Sequence, residues 1–79
     1  MKTYSIFMEG YIVTGGRCPA RYVGEGKGET FAEASYDACV KAYGKEETDR
    51  FFTRHNDNAT SYWGCRMYDN YHDAAKSFG

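Results

Sequence analysis

Between Thr3 and Val13, apolar and polar positions alternate with period two. Tyr4, Ile6, Met8 and Ile12 fall on one side, and Ser5, Phe7, Glu9, Tyr11 and Val13 on the other. Alternation in a segment rich in β-branched and aromatic residues predicts a strand, and apolar groups on both faces predict a central one. Gly15-Gly16 then suits a tight hairpin turn. Pro19 has no backbone donor, so it belongs at the start or edge of the next strand, Ala20 to Glu25. The run Gly24-Glu25-Gly26-Lys27-Gly28 reads as a break between that strand and a helix.

The period then changes. Phe31, Ala34, Ala38 and Ala42 recur at helical spacing, with Cys39 and Tyr43 beside them. Thr30 and Glu33 form a capping box ahead of this helix, and Gly44 ends it. Lys45 to Asn58 is polar and reads as a loop with a short helical turn near Glu47 to Phe52, followed by a turn at residues 55–59. Thr60 to Tyr68 reads as one strand. Ser61, Trp63, Cys65 and Met67 take its core face, while Tyr62, Gly64, Arg66 and Tyr68 take the open face. Asp69-Asn70 caps a last helix, Asn70 to Phe78, in which Tyr71, Ala74, Ala75 and Phe78 share a side.

The predicted fold class is α+β in a single domain, residues 1–79. It consists of a small three-stranded, mainly antiparallel sheet in the order β-β-α-(short helix or turn)-β-α, with the helices packed on one face and the other face open. Ile6-side residues or Phe7, together with Phe31, Trp63 and Phe78, are the expected core, and Gly79 closes the chain. A chain of 79 residues buries about 60–65% of its unfolded surface, so it carries one core of modest stability.

Composition narrows the function classes. Ten Lys plus Arg against eleven Asp plus Glu exclude a charge-driven binder of nucleic acid and an acidic nucleic-acid mimic. No apolar run has the length of a membrane helix, and Glu9 and Tyr11 interrupt the N-terminal apolar stretch, so neither a membrane partner nor a secretory signal is expected. Cys18, Cys39 and Cys65 are odd in number and contain no CxxC pair, which points to free thiols in a reducing, cytoplasmic setting. Asn58-Ala59-Thr60 matches a glycosylation sequon and, without a signal, reads as a polar loop.

Catalytic constellations are thin. The glycine run fits neither G-x-x-x-x-G-K-[ST] nor G-x-G-x-x-G, and Glu25 and Glu29 would repel a phosphate. Cys65 and His72, with Asp69 or Asp73 as orienter, could form a thiol–imidazole pair, but Cys65 falls on the expected core face, where a thiol is inert. His55, Asp57 and His72 lack the spacing of a metal site. Glu46, Glu47, Asp69 and Asp73 are explained by helix N-termini. No cofactor, no metal and no enzymatic activity are expected.

The aromatic residues carry the functional signal. Eight Tyr, five Phe and one Trp exceed what a small core requires. Tyrosine and arginine are the side chains that interfaces favour, and Arg17, Arg21, Arg50, Arg54 and Arg66 are interleaved with the tyrosines. The expected partner-binding set is Tyr11, Arg21, Tyr22, Tyr62, Arg66 and Tyr68, placed on the open sheet face and its loops. Protein binding is favoured over stacking of single-stranded nucleic acid, because eleven acids dilute the field. Pairing of open faces would also make a homodimer.

The stretch Tyr62-Trp63-Gly64-Cys65-Arg66-Met67-Tyr68-Asp69-Asn70, continuing to Ala74-Ala75-Lys76-Ser77-Phe78-Gly79, resembles the ending of small proteins carried by phages and mobile elements. The helix opening Thr30-Phe31 with Glu33-Ala34 is similar as well. The resemblance covers these two segments and assigns no residue a role. It implies a non-enzymatic inhibitor of the anti-CRISPR or other counter-defence kind, acting by occupying a surface of a host defence complex. A small single-stranded nucleic-acid binder is the alternative, and a cysteine-dependent enzyme the third reading.

Overall fold

The computed structural model describes residues 1–13 and 15–78. The side chains of Ile12, Val13, Arg17, Ser77 and Phe78 lie outside that description, so the expectations placed on Arg17, Phe78 and Gly79 fall outside the described residues. The elements run β1 (Lys2–Met8), β2 (Tyr11–Val13), β3 (Gly16–Cys18), β4 (Arg21–Gly28), α1 (Phe31–Tyr43), α2 (Lys45–Phe51), β5 (Phe52–Asn56), β6 (Ala59–Tyr62), β7 (Cys65–Tyr68) and α3 (Tyr71–Phe78).

The main sheet has five strands in the order β4-β1-β7-β6-β5, with every pair antiparallel, and β2 and β3 form a separate two-stranded ribbon. The expected three-stranded sheet is therefore wrong, for three local reasons. The Thr3–Val13 alternation breaks at Glu9-Gly10, so β2 leaves the sheet to pair with β3. The polar segment after α2 is an edge strand, β5, whose Thr53 to Asn56 are exposed and so carry no apolar signature. The expected strand Thr60–Tyr68 is a hairpin, folded back at Trp63-Gly64.

The glycine run is no break. Gly24 to Gly28 lie inside β4, paired in register with Ile6 to Lys2, and a bulge at Val23 separates them from the Tyr22–Phe7 pair. Gly26 and Gly28 face α1. A Cβ on Gly26 would stand 1.8 Å from the Ala34 carbonyl oxygen, and one on Gly28 would stand 2.5 Å from the Glu33 Cβ. The helix backbone thus rests on the strand backbone, and Ala34 and Ala38 keep the facing stripe equally low. Ile6, Met8, Phe31, Ala34, Ala38, Cys39, Tyr62 and Met67 form the core between sheet and helix.

α1 is fixed at both ends. The Thr30 hydroxyl accepts from the Glu33 amide at 3.2 Å, while the Glu33 carboxylate accepts from the Glu29 amide at 3.0 Å. The Gly44 amide donates to the Val40 carbonyl and closes the last turn. Ser35, wholly buried, hydrogen-bonds Thr60 on β6 at 2.9 Å and donates to the Ala32 carbonyl. Asp37 turns the other way and accepts from the Lys27 backbone amide at 2.9 Å, occupying a donor on the outer edge of β4. An edge strand with its donors covered is protected against pairing with another chain.

The helices do not share one face. Ile6 and Met8 point toward α1, so Phe7 between them points away. Phe7 meets Tyr22 on β4 at 5.1 Å and Tyr71 on α3 at 6.2 Å, and Ala74 of α3 is fully buried. α3 therefore covers the second face of β1, β4 and β7, where Tyr68 lies opposite Phe7. Asn70 caps this helix through the Asp73 amide at 2.7 Å.

Gly26→Ala is expected to destabilise the fold by about 3 kcal/mol or more, because the added methyl displaces helix backbone and not a mobile side chain. Glu25→Ala, exposed on the same strand, should change stability by less than about 0.5 kcal/mol. Chemical denaturation of the two variants checks the contrast.

The Lys27 amide, and then Lys41 at 2.9 Å, hold the Asp37 carboxyl below its ordinary value. A carboxylate favoured in the folded state adds stability above its unfolded pKa, and the contribution disappears as pH falls through the folded value. Asp37→Asn should accordingly lower the melting temperature at pH 7, and the difference from the native chain should shrink as pH falls through the acid range, read from thermal unfolding at a series of pH values.

Candidate functional site

The β6–β7 hairpin is closed by two residues, with Tyr62 opposite Cys65. Both turn residues have positive φ, 53° at Trp63 and 83° at Gly64, as a primed two-residue turn requires. Gly64 adopts this conformation without cost. Trp63 is the single non-glycine residue with positive φ among the described residues, and such backbone costs a bulky side chain about 1–3 kcal/mol. The turn also throws the indole outward. Trp63 is 73% exposed, in contrast to its expected place in the core. Its backbone amide is tied to the Phe51 carbonyl at 3.0 Å, and its ring meets Phe51 edge-on at 5.9 Å.

The turn shifts the phase of the buried positions. Thr60 and Tyr62 face the core on β6, and Met67 does so on β7, with Cys65 packed beside it. Tyr62 is thus 8% exposed, stacked on Tyr43 at 4.8 Å and edge-on to Phe51 at 5.9 Å. It does not share a face with Arg66 and Tyr68, as the single-strand reading required.

A cleft of about 380 Å³ opens beside the hairpin, lined by Met8, Tyr11, Arg21, Tyr62, Trp63, Gly64 and Cys65. The end of β1, the start of β2, the start of β4 and the hairpin each supply part of its wall. Tyr43, stacked on Tyr62, extends the aromatic surface. Arg21 lies across the Tyr11 ring at 5.9 Å and donates to the Met8 sulfur at 3.4 Å, beside the hydroxyls of Tyr43 and Tyr11. The Cys18 side chain, hydrogen-bonded to the Tyr11 phenol, raises the phenol above its ordinary value. Burial does the same for Tyr62 and, together with Glu9, for the Cys65 thiol.

The six sequence-derived residues are divided among three places. Tyr11, Arg21 and Tyr62 come together in this cleft, with Tyr62 as part of its floor. Tyr22 is 55% exposed on the second face, against Phe7. Arg66 lies over the Tyr68 ring at 5.6 Å, and both line a separate hollow of about 310 Å³ with Tyr4, Phe31, Asn58, Met67 and Asp69. The expected continuous open face does not exist, because α3 covers part of it. Trp63 and Tyr43 were missed. The signal for Trp63 lay in the phase: Thr60 and Tyr62 before it and Cys65 and Met67 after it share a face only if two residues turn the chain.

The remaining chemistry is conventional. Burial pushes the Cys39 thiol up to about 12, and Cys18, Cys39 and Cys65 are free thiols. A thiol held protonated in this way, as at Cys39, is not a nucleophile at neutral pH. His55 Nε2 is 3.0 Å from the Ser61 hydroxyl on an exposed strand surface. Among the described residues no group of three His, Cys, Asp or Glu side chains could hold a metal ion, and no helix is long and apolar enough to cross a membrane. No protein-family model, curated protein or solved structure matches the chain.

Trp63→Asn should change stability by less than about 1 kcal/mol, since relief of positive-φ strain offsets the lost ring contact with Phe51. Thermal unfolding of the variant measures the balance. A loss of several kcal/mol would make Trp63 a structural residue instead of an exposed anchor.

Proposed function

We propose that the chain is a non-enzymatic protein-binding module whose anchor is Trp63. The observation that carries this reading is the position of the chain's single tryptophan, 73% exposed on a positive-φ turn at the rim of an aromatic cleft. Exposure forfeits about 2–3 kcal/mol of apolar transfer for such a ring, and the backbone strain adds to it. Local rules are broken together in this way where a surface serves a partner. Tryptophan, tyrosine and arginine are also the side chains that dominate binding hot spots. The contact set is accordingly Trp63, Arg21, Tyr11 and Tyr43, over a floor of Tyr62.

The C-terminal resemblance gives this docking its setting: a small phage or mobile-element inhibitor that occupies a surface of a host defence complex in the cytoplasm. Three free thiols accord with a reducing compartment. Inhibition by occupation requires no catalytic residue.

Immobilised protein should retain a partner from nuclease-treated bacterial lysate, and Trp63→Ser, folded by circular dichroism, should lose that partner at least tenfold, a loss of about 1.4 kcal/mol or more. Identical retention by both proteins would remove the cleft as the binding surface. Loss of retention on nuclease treatment would replace the protein partner with nucleic acid.

A further inference from the structure

The cleft has one charged lining residue, Arg21, which forms no ion pair among the described residues, while Glu9 acts on the Cys65 thiol from outside the lining. Met8, Tyr11, Tyr62, Trp63, Gly64 and Cys65 are uncharged beside Arg21. Carboxylates pair with Lys41, Lys45, Arg50 and Arg54 elsewhere on the surface, yet among the described residues none lies in ion-pair range of Arg21. Its described neighbours are instead the Met8 sulfur, the Tyr11 ring and two phenol hydroxyls. A guanidinium presents five donors in a planar fork that matches a carboxylate, and a thioether is a weak acceptor for one of them. The guanidinium is exposed and bordered by the Tyr11 ring and the Met8 sulfur, so an incoming anion can reach it directly from the cleft.

Shape and charge therefore select together. We infer that the cleft takes an acidic–apolar segment of a partner protein, in which a carboxylate pairs with Arg21 while an adjacent planar or branched apolar side chain lies between Trp63 and Tyr11. This inference rests on the reading of the cleft as a docking site. A basic segment is disfavoured by Arg21, and a purely apolar one would leave the guanidinium unpaired under its cover. The Tyr43 and Tyr11 hydroxyls accept from Arg21 and hold the fork in place, and the Tyr43 O–H can donate to the same carboxylate.

The chain's single tryptophan makes the test direct, because its indole N–H gives one resolved signal in a nitrogen–proton correlation spectrum. The probes are 3-phenylpropionate and 3-phenylpropionamide, which share a shape and differ in charge. Titration of the acid is expected to shift the Trp63 indole signal with an affinity about tenfold above that of the amide. Arg21→Gln should bind both probes with the affinity of the amide, while Trp63→Ala should lose the site for both, read from the backbone signals of Gly64 and Cys65. Equal affinity of acid and amide in the native protein, or a preference that survives in Arg21→Gln, would overturn the acidic partner and leave the docking cleft standing. No shift with either probe up to 50 mM (about 2 kcal/mol of affinity at that limit) would overturn the inference itself, with docking still decided by the Trp63→Ser retention.

Discussion

The backbone of α1 rests against β4 where Gly26 and Gly28 present no side chain. Everything else in the molecule is arranged around that approach. With the helix this close, Ala34 and Ala38 fill the contact, and the larger side chains Ile6, Met8, Phe31 and Met67 complete the same buried cluster. Ser35 then reaches Thr60 on β6, and Asp37 reaches the Lys27 amide on the outer edge of β4. One helix thereby joins opposite halves of the sheet through two polar contacts of different kinds, one buried and one exposed. A chain of this size has little apolar area to spare, so close contact supplies what bulk cannot.

The sheet is covered on both sides as a consequence of its alternation. β1 carries Ile6 and Met8 on one face and Phe7 on the other, and each face needs a helix. α1 serves the first and α3 the second. The aromatic excess is divided the same way. Tyr4, Phe31, Phe51, Phe52 and Tyr62 serve the α1 side, while Phe7, Tyr22 and Tyr71 serve the α3 side. Trp63 stands outside both, placed there by its own turn.

Electrostatics follow local geometry. Lys41 with Asp37, Lys45 with Asp49 and Arg50 with Glu47 are helix neighbours three or four residues apart, exposed and of small energetic weight. Arg21 differs from these cations in both partner and surroundings, since it is held by sulfur, an aromatic ring and phenols. The exposed indole and a guanidinium that forms no ion pair among the described residues border one cleft.

The sequence by itself determined α1 with its Thr30–Glu33 cap and the position of α3, because those rest on contacts within a few residues, and it showed apolar groups on both faces of β1, whose strand partners β4 and β7 lie far along the chain. It also carried the glycine alternation of β4, although a run of glycines reads equally as a break until a helix lies on it. Only the tertiary structure decided that β5 is a strand, since its exposed residues carry no apolar alternation along the chain. Only pairing showed that Trp63-Gly64 turns the chain, which moved Tyr62 inward and Trp63 outward and separated Tyr62 from Arg66 and Tyr68. The cleft is assembled from residues far apart in sequence, at Met8, Tyr11, Arg21 and Trp63, and no spacing along the chain encodes such a meeting. Interface-forming residue types were legible in composition; their location depended on the phase of a two-residue turn and the face chosen by a helix.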